Sequence, residues 1–252
     1  MMKKNLLLLG LFVSICGAAQ NDLPDMSAID TLIVKSYWGE VNVNGVTSNK
    51  SGLKAVHTDS QAKRKMIDNS ASGQYYDMKV NGKTLKLAAR SPKGFESLDF
   101  ILSIPNRIFV QVEMMKGGEI VLRNLLNGVE VNHRNGSFKG RNIGDYALVN
   151  LANGSIDIEF SSVNRSRPIS LVTMNGGITV SLPKTVQRDV RLISRKNGYL
   201  WSDFDLTGVL PVAQLNVRSY SKEPIDGTVK INGGGKLLFL STENGPIEIL
   251  KN

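Results

Sequence analysis

Ile169-Ser-Leu-Val-Thr-Met-Asn-Gly-Gly-Ile-Thr-Val-Ser-Leu-Pro183 holds the repeating unit of the chain. Two runs of alternating apolar residues, Ile169/Leu171 and Ile178/Val180/Leu182, flank an Asn-Gly pair. Alternation at period two marks a strand with one buried face. Asn-Gly marks a corner, because glycine accepts positive φ without a Cβ clash and asparagine tolerates the left-handed region. The same corner recurs at Asn153-Gly154 and Asn197-Gly198, each 22 residues from Asn175-Gly176. Counting from each glycine, offset +2 reads Ile156, Ile178, Leu200, and offset +6 reads Phe160, Leu182, Phe204. Offset −5 reads Val149, Leu171, Ile193. A constant period in the twenties marks a repeat architecture whose units bury apolar faces against one another.

Working outward, related corners at Gly117-Gly118, Asn127-Gly128, Asn135-Gly136 and Asn244-Gly245 carry the pattern from Arg107 to the end. Residues 205–235 interrupt it with Pro211, Pro224 and Gly233-Gly234-Gly235. Gly136, Gly154, Gly176, Gly198 and Gly245 are the expected structural turns. Upstream, strands are expected over 32–34, 41–43 and 53–57, then a loop through Lys65. A hairpin over 76–88 turns at Asn81-Gly82, and a strand over 98–104 ends at Pro105. No helix is expected beyond the first residues. The chain divides into 20–30 as a leader, 31–104 as an N-terminal β region and 105–252 as the Asn-Gly repeat region; one continuous solenoid from 31 also fits. The fold class is all-β. A β-solenoid explains the constant period and would place Ile156, Ile178 and Leu200 in one internal ladder; an antiparallel β-sandwich is the alternative, since Asn-Gly also suits hairpins.

The first residues read as an export signal. Lys3 and Lys4 precede an apolar run over 6–15, and Gly17-Ala18-Ala19 offers the small residues of a cleavage site, so residues 1–19 are a signal peptide cut before Gln20. The run is shorter than the roughly 20 apolar residues of a membrane span. Cys16, the only cysteine, occupies the place of a lipidated residue in Val13-Ser14-Ile15-Cys16, although Ile15 is bulky where a small residue is expected. Cleavage at Ala19 leaves no thiol, hence neither a disulfide framework nor cysteine-ligated metal. Loss of Lys3 and Lys4 takes the net charge from +9 to +7, with 29 basic against 22 acidic residues. The bases are scattered, with Lys63-Arg64-Lys65 the one tight run, as on charged strand edges that resist aggregation; this argues against a nucleic-acid partner.

The 169–183 stretch resembles the repeat of a bacterial family of exported β-strand-repeat proteins that carry a domain of unknown function and are labelled adhesins. Pro105-Asn-Arg-Ile-Phe-Val-Gln-Val112, followed by Gly117-Gly-Glu-Ile120, resembles the way that domain opens. The likeness covers residues 30–250 and is strongest over 100–205. It implies a β-helix-like fold, export, and an adhesive or scaffolding role. The family supplies no catalytic motif.

The residues themselves offer little chemistry. His57 and His133 are the only histidines, and His133 reads as a surface side chain between Val131 and Asn135. Nucleophile elbows, phosphate loops and zinc or calcium motifs are missing, so neither cofactor nor metal is expected. Asp157 and Glu159 share the outward face of one strand, with Asp203 and Asp205 near the equivalent place two repeats on. Such acids would serve a polysaccharide lyase or hydrolase, but solvated surface explains them as well. Tyr199, Trp201 and Asp203 point outward if Leu200 and Phe204 point inward, and adjacent aromatics suit sugar stacking or a protein anchor unless the 205–235 segment covers them. Tyr37-Trp38 is a second aromatic pair of this kind. The reading is a non-enzymatic, exported protein of a Gram-negative envelope (periplasm, outer membrane or cell surface) that recognises a glycan or an envelope protein.

Overall fold

The computed structural model describes residues 23–48, 50–68, 70–90, 96–206 and 224–252. The expected signal peptide, Cys16 and the first residues of the expected leader lie outside that set. After a 3-10 turn at Met26–Ala28 come β1 (Thr31–Trp38), β2 (Val41–Val46), β3 (Gly52–Thr58), β4 (Arg64–Ile67), the one-turn helix α1 (Ser72–Tyr75), β5 (Tyr76–Asn81), β6 (Thr84–Ala89) and β7 (Ser97–Pro105). The middle of the chain forms β8 (Phe109–Gly117), β9 (Ile120–Arg123), β10 (Val129–Asn135), β11 (Phe138–Ile143), β12 (Ala147–Asn153) and β13 (Ile156–Phe160). Then follow β14 (Ile169–Asn175), β15 (Ile178–Leu182), β16 (Arg188–Lys196), β17 (Leu200–Ser202), β18 (Ile225–Ile231), β19 (Leu237–Asn244) and β20 (Ile247–Lys251). Two short differences from expectation appear here: β4 occupies part of the expected loop through Lys65, and α1 supplies one helical turn.

The strands make two ten-stranded sheets, ordered β18-β16-β19-β14-β12-β10-β8-β1-β6-β5 and β17-β20-β15-β13-β11-β9-β2-β7-β3-β4. Each coil contributes one strand to each sheet, and coil meets coil in parallel register. This is a flattened β-solenoid, since an antiparallel sandwich would alternate strand direction. Eight coils stack in the order β6/β7, β1/β2, β8/β9, β10/β11, β12/β13, β14/β15, β19/β20, β16/β17.

Spatial order thus departs from chain order at both ends. The first coil, β1/β2, lies between β6/β7 and β8/β9. The last, β19/β20, lies between β14/β15 and β16/β17. Antiparallel strands cover the ends of the stack: β5 in one sheet and β3 and β4 in the other at one end, and β18 in the first sheet at the far end, where β17 is the edge strand of the second sheet among the described residues. An open parallel edge would template further pairing, and these strands occupy it with charged positions such as Asp226 and Lys230.

Identical rows of side chains fill the interior. Leu87, Val34, Val112, Val131, Val149, Leu171, Leu240 and Leu192 stand in one ladder, none more than 2% exposed. The expected ladder of Ile156, Ile178 and Leu200 exists, but Ile247 stands between the last two, because the C-terminal coil is inserted there.

The corners stack as well. Gly136, Gly154, Gly176 and Gly245 hold φ of 141°, 142°, 148° and 155°. A Cβ on Gly176 would lie 2.2 Å from the Gly154 carbonyl oxygen, so close coil spacing and positive φ both demand glycine. Asn153 donates its side-chain amide to Asn135, and Asn175 to Asn153, each at 2.8 Å. Gly198 differs from expectation: the left-handed residue is Asn197, φ 50°, which stands as one extra residue after Lys196 pairs with Asn244. That extra residue reverses the faces of β16, so Leu192 is buried and Ile193 faces outward, contrary to its offset from Gly198.

His133 also corrects the sequence reading. Alternation from Val129 and Val131 turns it inward, where it is 4% exposed with Nε2 3.0 Å from the Gly118 carbonyl oxygen. Along the same inner row the Thr173, Thr242 and Ser194 hydroxyls donate to the carbonyls of Gly154, Gly176 and Gly245, at 2.8–2.9 Å. A polar row beneath the corner therefore satisfies glycine carbonyls that would otherwise be buried unpaired.

Candidate ligand-binding site

The two aromatic pairs singled out in the sequence lie at opposite ends of the stack. From the β1/β2 coil to the β16/β17 coil is six strand spacings, or about 29 Å. They are two separate places, and the structure equips them differently.

At the C-terminal end, Tyr199 and Trp201 are half-buried on the outward face, as alternation with buried Leu200 and Ser202 requires. Trp201 pairs in register with Glu248, whose carboxylate accepts a 2.6 Å hydrogen bond from the Tyr199 hydroxyl. Asp203 is exposed, and its carboxylate accepts from the Lys251 backbone N–H at 3.0 Å, which ties off the end of β20. Glu248 and Asp203 on this surface are engaged in holding strands together.

The outward acids do not converge. Arg141 clasps Asp157 through two side-chain contacts, one of them 2.9 Å from Nη1 to Oδ1. This bonding raises the Arg141 pKa above its ordinary value, with Asp157 and Glu159 adding attraction against the cost of partial burial. Asp157 on β13 and Asp203 beside β17 are three strand spacings apart, about 14 Å, wider than the roughly 5–9.5 Å between the carboxylates of a glycosidase pair.

The N-terminal end has a concave site. A cleft of about 340 Å³ opens where the β1–β2 corner meets the closing strands. Tyr37 and Trp38 enter it from the end of β1, His57 from β3, Tyr75 from α1, Arg90 from the end of β6 and Glu96 from the approach to β7. The His57 and Tyr75 rings are 4.8 Å apart between centroids and tilted by 48°. Glu96 Oε2 lies 3.5 Å from His57 Nε2, with the two side chains 32% and 14% exposed. Arg90 donates to Asp77 at 2.9 Å through its guanidinium and to the Tyr75 carbonyl at 2.7 Å through its backbone N–H. Beneath the cleft Asp99, 8% exposed, accepts from the Glu40 N–H at 2.9 Å and from Arg64 at 2.8 Å, which fastens β4 and the corner to β7.

The sequence reading included Tyr37 and Trp38 but not His57, Tyr75, Arg90 or Glu96. His57 is brought to the first two by the antiparallel closing strand β3 and Tyr75 by one helical turn, while Arg90 and Glu96 come from the end of β6 and the approach to β7 in the adjacent coil. The one legible signal was inward alternation of Leu53, Ala55 and His57 along β3, which places a histidine on the apolar face.

No family model matches this chain, and no curated protein matches it. Among solved structures, it is similar to a crystal structure of a "putative cell adhesion protein" from Clostridium sporogenes, with a TM-score of 0.50 at 13% identity over 92% of this chain and 97% of that one. At that identity the likeness concerns the fold. Among the described residues no helix is long and apolar enough to cross a membrane.

Proposed function

We propose that this chain is an exported, non-enzymatic binding module of the bacterial envelope, adhesin-like in use, which presents a rigid solenoid to a glycan or protein partner. The observation that carries the reading is the continuous stack. Eight coils share one apolar core, and antiparallel strands cover both sheets at one end and one sheet at the other, which makes the module stiff and limits its propagation. The basic start, apolar run and small-residue cleavage site of residues 1–19 support export. The Clostridium sporogenes "putative cell adhesion protein" has a similar fold, which agrees with that use.

The competing reading, a polysaccharide-active enzyme, would draw on Asp157, Glu159, Asp203 and Asp205. The Arg141 clasp on Asp157 and the wide gap to Asp203 disfavour it. Alanine at all four positions should leave every property of the protein except local stability unchanged, and glycan turnover abolished by those changes would reverse the reading.

Protease added to intact cells that produce the protein should remove it, with a periplasmic control left uncut. Protection of the folded chain would end the surface reading and leave a periplasmic scaffold in its place.

A further inference from the structure

We infer that the cleft at the β1–β2 corner binds a neutral saccharide. The inference rests on the binding-module reading and names the ligand of one site. Its first support is the mixture of surfaces. Tyr37, Trp38 and Tyr75 supply aromatic walls, and an aromatic ring accepts the apolar C–H face of a sugar. Polar groups stand beside them at His57, Glu96 and Arg90.

The second support is an unmet hydrogen-bonding requirement. His57 Nε2 is buried and has no hydrogen-bond partner among the described residues, with Glu96 Oε2 at ion-pair distance, 3.5 Å. A buried polar atom left unpaired is costly. A sugar hydroxyl both donates and accepts, so one hydroxyl can bond His57 in either tautomer while another donates to the Glu96 carboxylate.

Charge and size then narrow the class. Arg90 and Glu96 bear opposite charges, and Arg90 is already held by Asp77 at 2.9 Å. Among the described lining residues no unengaged cation remains to recruit a phosphate or an acidic glycan, and the Glu96 carboxylate lies at ion-pair distance from His57 rather than standing alone for a quaternary ammonium group. Its volume, about 340 Å³, is at the low end of small-ligand sites, which suits one or two sugar rings rather than a chain segment with its side chains. Three of the walls are strands of the packed stack, so little ordering cost attends binding.

The chain has two tryptophans, so Trp201→Phe leaves Trp38 as the lone reporter. The Trp201→Phe protein would be titrated with glucose, galactose, N-acetylglucosamine and their disaccharides, and in parallel with galacturonic acid and choline. At least one neutral sugar should give a saturable change in Trp38 emission. Glu96→Gln should weaken it by at least about tenfold at an unchanged melting temperature, and Tyr75→Ala by as much although the lost core contact lowers its melting temperature, while Asp203→Asn at the far end should have no effect. Calorimetric titration of the unsubstituted protein with the same sugars removes any dependence on the Trp201 change. Failure of every neutral sugar by both methods, preference for galacturonic acid or choline, or binding that survives both cleft substitutions would each overturn the inference. Sugar binding that persists in a protein shielded from protease on intact cells would uphold the cleft and sink only the surface role.

Discussion

Two residue types carry the corners of this protein, and each is there for a definable reason. Gly176 has φ of 148° and its α-carbon faces the carbonyl oxygen of Gly154, 2.2 Å from where a Cβ would be. Both atoms of that clash belong to backbone already locked in parallel ladders, so neither can retreat. Gly176→Val should therefore lower unfolding free energy by about 3 kcal/mol or more, read by chemical denaturation; wild-type stability would mean the corner can rebuild. Arg188 shows the opposite case, a charged residue with no exposed surface. Its guanidinium donates to the carbonyls of Arg167, Asn164 and Lys236, which solvate the cation in place of water, and burial lowers its pKa from the ordinary arginine value.

At the scale of the element, the strands that close the stack differ from those inside it. Among the described residues β18 pairs on one side only, and Asp226 on it bonds Arg191 of β16, which also donates to the Gly227 carbonyl at 3.1 Å. That side-chain hydrogen bond holds the Asp226 carboxyl below its ordinary pKa. A depressed carboxylate pKa contributes stability above the unfolded value, about 3.9, and loses it as pH falls through that value toward the folded one. Amide protection factors of β18 should accordingly drop on acidification to about pH 3, while those of β12 and β14 persist. Asp226→Asn should reproduce the drop at neutral pH. Equal protection in all three strands would show that the pair contributes nothing to the edge, as exposed pairs often do not.

For the whole molecule, the order of coils decides how parts depend on one another. Among the described residues the backbone ladders of β16 and β17 join the rest of the stack through β19 and β20, which follow them in the chain. Deleting residues 237–252 should thus expose residues 188–202 to proteolysis while 97–182 stays resistant, as mapped by mass spectrometry of the fragments. Retention of an intact β16 would imply that it can pair with β14 directly once the inserted coil is gone.

Alternation and Asn-Gly spacing determined, without any structure, that the chain is all-β and that Ile156, Ile178, Phe160 and Leu182 face inward, and they favoured stacked coils over an antiparallel sandwich. Those signals are local, because each residue's face depends on its neighbours two places away. Tertiary structure alone decided what sequence distance cannot encode. It set which coil lies beside which, so that Ile247 stands between Ile178 and Leu200. It showed that one extra residue, Asn197, turns Ile193 outward, and that His133 lies in the polar row under the corner. It also gathered His57, Tyr75, Arg90 and Glu96 around Tyr37 and Trp38. Parallel pairing is sequence-tolerant: every coil offers nearly the same apolar rows, so any coil can sit beside any other until end closure and core packing select one order, and the cleft exists only where that closure falls.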